Sequence, residues 1–230
     1  MKPFYENNQG ITIYNNDCVE GMNLLPLDSI DLVITSPPYN IGIDYGIYKD
    51  NLPFNDYLEW SYQWVNKIKG VLKLDGRYCF SIPLVITDVE RHRKNFLAEF
   101  SNIVKRTGLN FHGIAIWTDH GDEAFTAWGS WLRASSPYIS SAHEIILIGY
   151  KDTWKKLNKG QSSISKKDFM MGCSGVWKLG RYRKNAEFPL GLPGLCISLF
   201  SYVGDTVLDP FLGTGTTARA CMNLNRKCIG

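Results

Sequence analysis

The chain has 230 residues and a net charge of +3, with 44% hydrophobic and 20% charged residues. These proportions are those of an ordinary globular protein, which excludes disordered, collagen-like and fibrous classes. The length suits one sizeable α/β domain with room for a short insertion. No run approaches the roughly 18 apolar residues of a membrane span, and the N-terminus lacks the apolar core of a signal peptide, so we expect a cytoplasmic protein.

Short apolar runs alternate with helical stretches, which predicts βαβ units and a mostly parallel sheet. In chain order we predict a strand over 10–15, a helix over 17–25, a buried strand over 29–35, a helix over 57–72, a turn at 74–76, a strand over 77–82, a helix over 88–106, and strands over 111–117 and 144–150. Beyond residue 184 we predict a helix ending at 200, a strand over 205–211, a glycine turn, a helix over 216–224 and a strand opening at 227.

The six cysteines are scattered, with no C-x-x-C pair among them. This spacing favours reduced thiols in the core over a disulfide framework or a zinc site. The four histidines are dispersed as well. We therefore expect no bound metal.

Positive charge is concentrated in residues 151–184, where ten Lys or Arg stand against two Asp. That segment has a charge of +8, which leaves −5 for the rest of the chain. A basic block on an acidic body is typical of proteins that meet a polyanion, although a solvated loop is the alternative. Its Ser, Gly and Lys clusters predict an insertion on the domain surface.

A glycine turn, Gly213-Thr214-Gly215-Thr216, lies between a predicted strand and a predicted helix. Such a turn lets the backbone come close to a nucleotide-like ligand at a helix N-terminus. The match by itself is a weak signal. Only 15 residues follow Gly215, so we do not expect a dinucleotide dehydrogenase.

A second motif, Ser36-Pro37-Pro38-Tyr39, follows the buried strand over 29–35. Two successive prolines cannot continue a strand ladder, so the strand ends there. The motif could be a rigid turn that carries a surface tyrosine. Alternatively, the hydroxyl and a prolyl carbonyl could accept hydrogen bonds from an amino group while the aromatic ring stacks on a flat base.

Together the two motifs resemble those of the amino-group-specific DNA methyltransferases, in the permuted group whose catalytic motif precedes the cofactor motif. The family's catalytic motif is D/N/S-P-P-Y/F/W, and its cofactor motif D-P-F-x-G-x-G-T-T is similar to residues 209–217. Further similarity is found at Leu74-Asp75-Gly76, His143-Glu144 and Phe188-Pro189. The resemblance implies one α/β domain over 1–230, with the doubly wound, mostly parallel sheet of S-adenosylmethionine-dependent (Rossmann-like) methyltransferases, circularly permuted.

The resemblance also assigns roles to residues of this sequence. The catalytic residues would be Ser36, Pro37, Pro38 and Tyr39. The cofactor S-adenosyl-L-methionine would be bound by Asp17, Cys18, Phe188, Pro189, Asp209, Pro210, Phe211, Gly213, Gly215 and Thr216. The basic segment would be the target-recognition region on double-stranded DNA, with contacts from Lys155, Lys156, Lys166, Lys167, Arg181 and Arg183.

Three functions remain open at this point. The first is N4-cytosine methylation in a restriction-modification system, because in that family Ser at the first motif position goes mostly with cytosine and Asp or Asn mostly with adenine. The second is N6-adenine methylation, and the third is a non-catalytic nucleic-acid-binding module. A homodimer is possible, and Trp117, Trp128 and Trp131 could either contact DNA or pack in the protein.

Overall fold

The computed structural model describes residues 2–46, 48, 50–88, 90–118, 129–139, 143–179 and 188–230. Its elements are β1 (Tyr5–Glu6), β2 (Ile11–Ile13), α1 (Cys18–Met22), β3 (Ile30–Thr35), α2 (Phe54–Val71), β4 (Leu72–Pro83), β5 (Val85–Thr87), β6 (Arg93–Asn95), α3 (Phe96–Thr107), β7 (Asn110–Thr118), β8 (Glu144–Tyr150), α4 (Lys166–Cys173), β9 (Val176–Lys178), α5 (Gly191–Phe200), β10 (Thr206–Leu208), α6 (Thr216–Asn223) and β11 (Lys227–Ile229). Within these residues no helix combines the length and the apolar character needed to cross a bilayer.

The central sheet has the strand order β1-β2-β11-β10-β3-β4-β8-β7-β9. Strands β2, β11, β10, β3 and β4 are mutually parallel, and β8 is antiparallel to both of its neighbours. The carboxyl ends of the parallel strands meet along one edge, which we call the carboxyl edge. The opposite edge, where these strands begin, is the amino edge.

The core lies on both faces of the sheet. All six residues of β3 are buried, and from Leu32 to Ile34 they alternate between the faces: Val33 packs with α2 and α3, whereas Leu32 and Ile34 pack with α5 and α6. Burial on both faces is the reason that β3 is an almost continuous apolar run. The predicted α/β class with a mostly parallel sheet is confirmed.

Two predicted elements differ from the structure. The predicted turn at 74–76 is a bulge within β4, since Leu32 pairs with Arg77 although Ile30 pairs with Leu72. The predicted helix over 88–106 begins only at Phe96, and a β5–β6 hairpin precedes it. The Asp88 carboxylate accepts hydrogen bonds from the backbone N–H groups of Glu90 and His92, which favours a turn over a helix there.

The first part of the basic segment is attached to the amino edge. Lys151 donates to Asp28 at 2.7 Å, and the ammonium of Lys156 lies 3.8 Å from both Asp31 and Asp75. Only 8% of the Lys156 side chain is exposed, and its charge is already paired inside the protein. This differs from the prediction that Lys156 contacts DNA. Further along, β9 joins the sheet beside β7, and its Trp177 is buried.

Candidate active site

The two sequence motifs lie side by side at the carboxyl edge. Ser36 follows β3 and Asp209 follows β10, and these strands are parallel neighbours. The Thr35 hydroxyl donates to Asp209 Oδ1 at 2.7 Å, which connects the two motifs directly. Ligands of open α/β sheets bind at this edge, where the loops leave the carboxyl ends of the strands.

Asp209 shapes the glycine turn. Its carboxylate accepts hydrogen bonds from Thr35, from the Thr217 hydroxyl at 2.6 Å and from the Phe211 N–H at 3.1 Å. Burial raises the pKa of Asp209 to about 6, although these hydrogen bonds act in the opposite direction. Both carboxylate oxygens already accept hydrogen bonds from groups of the protein. That this side chain contacts the cofactor therefore remains a prediction.

We expect Asp209 to lower the stability of the protein as the pH rises from about 4 to about 6. Because its pKa is higher in the folded protein than the ordinary 3.8, the native state holds this proton more tightly than the unfolded chain does, and its loss favours unfolding. The rise to about 6 corresponds to roughly 3 kcal/mol. Urea unfolding across this pH range should show that the stability of the wild type relative to Asp209→Asn decreases as the pH rises; equal pH dependence in both would contradict the assignment.

The backbone of the glycine turn is exposed towards the space outside it. Gly213 has a φ of 53° and Gly215 a φ of 84°, in the left-handed region that favours glycine. Gly215 is also the N-cap of α6. Apart from its chain neighbours, a Cβ atom at Gly215 would meet no heavy atom of the described part of the chain within 4 Å, and one at Gly213 would meet only the Phe211 carbonyl oxygen at 3.9 Å. The turn therefore leaves room for a ligand against its backbone.

An open cleft lies between α1 and the carboxyl ends of β10 and β11. Asp17 caps α1, with its Oδ1 accepting from the N–H groups of Val19 and Glu20. Burial, together with the charge of Asp17, raises the pKa of Cys18 to about 12, so the thiol is neutral. The residues around the cleft include Tyr14, Asp17, Cys18, Leu208, Pro210, Ile229 and Gly230.

Three of the predicted cofactor residues, Asp17, Cys18 and Pro210, are thus brought together in one cleft. Phe188 and Pro189 are elsewhere: they lead into α5, and Phe188 packs in the core on the α5 and α6 face. Phe211 packs among tryptophans, including Trp64. Thr216 is buried at the start of α6.

The hydroxyl group of Tyr39 is held in a polar network next to Ser36. It lies 2.7 Å from Ser36 Oγ, 3.2 Å from the Ser81 carbonyl oxygen and 3.3 Å from Glu144 Oε2. Burial and the nearby charge of Glu144 raise the pKa of Tyr39 well above its ordinary value, so the hydroxyl stays protonated. Glu144 is brought to this network by strand pairing. It is the first residue of β8 and lies opposite Pro83, the last residue of β4.

The loop that follows Tyr39 is held by Asp50, which the sequence analysis did not single out. This buried carboxylate accepts hydrogen bonds from the N–H groups of Asn40, Ile41 and Ile43. The Asn40 side chain adds two hydrogen bonds to the backbone of Leu52. Asp50 could have been found only as one acidic residue in a loop rich in Gly and Tyr, which is a weak signal.

Residues 30–230 match the model of the N6/N4 DNA methylase family. The chain belongs to this family. Type II methyltransferase M.MjaVI of Methanocaldococcus jannaschii is 41% identical over 172 residues, which are 73% of this chain and 84% of that protein. Type II methyltransferase M.HpaI of Haemophilus parainfluenzae is 32% identical over 232 residues, or 94% of this chain and 68% of that protein.

Solved structures agree with this DNA methylase fold. The Thermus thermophilus protein TTHA0409, in complex with S-adenosyl-L-methionine, has a TM-score of 0.74 and 26% identity, covering 95% of this chain and 87% of its own. The PvuII DNA methyltransferase (cytosine-N4-specific) has a TM-score of 0.75 at 20% identity, covering 99% and 83%, and shares the fold. An amino-group-specific DNA methyltransferase with S-adenosylmethionine as cofactor is confirmed; its circular permutation stays a prediction.

The residues at the carboxyl edge of this DNA methylase suit S-adenosylmethionine. The cleft offers apolar walls from Leu208, Pro210 and Ile229, which suit an adenine ring. The carboxylate of Asp17 stands at the same cleft. Next to it, the turn at Gly215 has the open backbone that a close ligand needs.

The residues of this methylase that were predicted to contact DNA differ in exposure and location. Lys155, Lys166 and Lys167 are exposed, and Lys155 lies beside Lys156 at the amino edge. Arg181 and Arg183 lie outside the described residues. Of the three tryptophans, Trp117 is buried and donates to the Leu179 carbonyl oxygen at 2.9 Å, Trp128 is outside the described residues, and Trp131 is 70% exposed.

Proposed function

We propose that this DNA methyltransferase methylates the exocyclic N4 of a cytosine flipped out of double-stranded DNA, as the modification enzyme of a restriction-modification system. The observation that carries the proposal is the half-buried Ser36 hydroxyl, held beside Tyr39 at the carboxyl edge. Ser at this motif position goes mostly with cytosine in the family. Two relatives that carry the name Type II methyltransferase support the restriction-modification context.

The direction of the hydrogen bonds leaves the Ser36 hydroxyl able to accept a further hydrogen bond. The Tyr39 hydroxyl has one hydrogen and two acceptors within reach, the Ser81 carbonyl and the Glu144 carboxylate. When Tyr39 donates to either, its oxygen accepts the Ser36 hydrogen across 2.7 Å. The remaining lone pairs of Ser36 Oγ are then free to accept a hydrogen bond from the amino group of the target base.

The two prolines differ in what their carbonyl groups can do. Pro38 O accepts a hydrogen bond from the Tyr57 hydroxyl at 2.7 Å, which fixes the turn to α2. Among the described residues no donor occupies Pro37 O. Pro37 O and Ser36 Oγ therefore form a pair of acceptors for the two amino hydrogens.

An exocyclic amino group is a weak nucleophile because its lone pair is delocalised into the ring. The two acceptors counteract this delocalisation. Hydrogen bonds to Ser36 and Pro37 favour the pyramidal nitrogen that is reached in the transition state. S-adenosylmethionine, when bound, supplies the electrophilic methyl group. The Tyr39 ring, fixed by its hydroxyl and by edge contact with Phe96 at 6.1 Å between centroids, stacks on the base and offsets part of its unstacking cost.

The experiment that tests this function is methyl transfer to unmethylated genomic DNA, followed by digestion to nucleosides and mass spectrometry. We expect N4-methylcytosine, and none with Ser36→Ala. N6-methyladenine without N4-methylcytosine would establish the second candidate, in which Ser36 and Pro37 hold an adenine amino group by the same hydrogen bonds. Absence of any methylated nucleoside would favour a non-catalytic module.

The target-recognition role of the basic segment is tested by salt dependence. If Lys155, Lys166 and Lys167 neutralise phosphates, replacing all three by Gln should flatten the slope of log affinity against log salt by about three. Lys105→Gln, an exposed lysine on α3, serves as the control and should leave the slope unchanged. Fluorescence anisotropy with labelled duplex DNA measures both. An unchanged slope in the triple variant would restrict DNA contact to other surfaces.

A further inference from the structure

Residues 129–137 form a small hairpin in the connection between β7 and β8. Gly129 and Pro137 make an antiparallel bridge. The Ser130 N–H donates to the Ser136 carbonyl oxygen at 2.9 Å, and Ser130 Oγ donates to the Arg133 carbonyl oxygen at 2.6 Å. These bonds fix a tight turn, whose residues Trp131, Leu132 and Arg133 we call the hairpin tip.

The hairpin tip presents large apolar side chains to solvent. Trp131 is 70% and Leu132 87% exposed, and Leu132 has a φ of 52°, an uncommon conformation for a bulky residue. Ile139, just beyond the hairpin, is 72% exposed. Single exposed apolar residues are ordinary, but a group of them on an ordered turn marks an interaction surface.

The hairpin lies in the chain between β7 and β8, and this connection leaves and rejoins the sheet at the carboxyl edge, on the side of the proposed base site. It connects the end of β7 to Glu144, the residue that contacts the Tyr39 hydroxyl. At its base, the Arg93 guanidinium lies 4.8 Å from the Tyr138 ring centroid. Arg93 is three residues before Phe96, which packs against Tyr39, and three residues of extended chain span about 10 Å.

The charge beside the hairpin tip suits a nucleic acid. Arg133 is exposed in the tip and Arg93 is exposed at the base of the hairpin. Arg91, two residues before Arg93, is exposed as well, and the exposed Glu90 next to it lies 3.5 Å from His92 Nδ1. The acidic Asp88 in the same hairpin as Arg93 is buried and paired with Lys94 at 3.3 Å. Apolar side chains with guanidinium groups beside them, Arg133 in the tip and Arg93 at the base of the hairpin, are what a wedge between stacked bases needs, since the phosphates flank every base step.

We propose that the hairpin tip enters the duplex next to the target base and fills the gap that the base leaves when it swings out towards Tyr39. Trp131 and Leu132 supply the stacking and apolar contact that the departing base removes, and Arg133 contacts a neighbouring phosphate. This inference rests on the proposed function, because it requires a flipped base. The tip acts on the opening of the duplex and not on methyl transfer itself.

The test compares two duplexes that carry the recognition sequence obtained by sequencing the methylated DNA. In one the target base is paired, and in the other it faces an abasic site and is already unpaired. The double variant Trp131→Ala/Leu132→Ala should lower kcat/KM about thirtyfold on the paired duplex, and only about threefold or less on the abasic one. Phe4→Ala/Leu27→Ala, which removes two exposed apolar side chains elsewhere, should change neither value.

Each other outcome has a definite meaning. Equal losses on both duplexes, or no loss on either, would overturn the wedge, provided that calorimetry shows unchanged binding of S-adenosylmethionine. Failure of the wild type to methylate either duplex would reject the proposed function and the wedge with it. A wild-type dimer that becomes a monomer in the tip variant, by sedimentation, would assign the tip to a second copy of the chain and overturn the proposal.

Discussion

Replacing Gly215 by Val should weaken the binding of S-adenosyl-L-methionine by roughly a hundredfold, or about 3 kcal/mol. The residue has a φ of 84°, and a Cβ placed there would meet no heavy atom of the described residues within 4 Å, its chain neighbours excepted. That space adjoins the N-terminus of α6, where we place the ligand against the backbone. Isothermal titration calorimetry with the cofactor measures the loss.

Gly204 provides a matched control for backbone strain. Its φ is 86°, and a Cβ there would likewise meet no heavy atom within 4 Å among the residues that the structure describes, its chain neighbours excepted. It precedes β10 at the amino edge, whereas Gly215 follows this strand at the carboxyl edge. Gly204→Val should therefore carry a similar conformational penalty of about 1–2 kcal/mol and retain the wild-type affinity for the cofactor. Equal loss of affinity in both variants would attribute the effect to strain and contradict the site.

Tyr39→Ala should reduce methylation of DNA by about five- to 150-fold, which corresponds to the roughly 1–3 kcal/mol of one base–aromatic stack. The affinity for S-adenosylmethionine should persist, because the cleft is formed by other residues, among them Asp17 and Pro210. Steady-state kinetics and calorimetry on the same preparation separate the two quantities. Loss of cofactor binding in the variant, or an unchanged rate of methylation, would contradict the assignment.

Tyr39→Phe distinguishes the ring from the hydroxyl. It keeps the stacking surface and removes the oxygen that accepts from Ser36 and donates towards Ser81 and Glu144. A rate between those of the wild type and Tyr39→Ala is expected, because the Ser36 hydroxyl loses the partner that orients its lone pairs. A rate equal to that of Tyr39→Ala would place the whole effect on the hydroxyl and contradict the stack.

Much of this structure could be predicted from local features of the sequence. The apolar run of β3 predicted a strand buried on both faces, and the prolines after Ser36 predicted where it ends. Gly213 and Gly215 predicted the turn before α6, because few other residues adopt positive φ. These features depend on residues that are close together in the chain. The sequence by itself was therefore sufficient to predict the two motifs and the class of fold.

Only the tertiary structure decided which distant groups are partners. Asp209 was predicted as a cofactor residue, but Thr35, 174 positions away, accounts for one of its hydrogen bonds. Lys156 was predicted to contact DNA, yet Asp31 and Asp75 neutralise it at the opposite edge. Glu144 reaches Tyr39 because β8 pairs with β4. Ion pairs and hydrogen bonds depend on distance in space, and composition or periodicity carries no information about which side chains the sheet brings together.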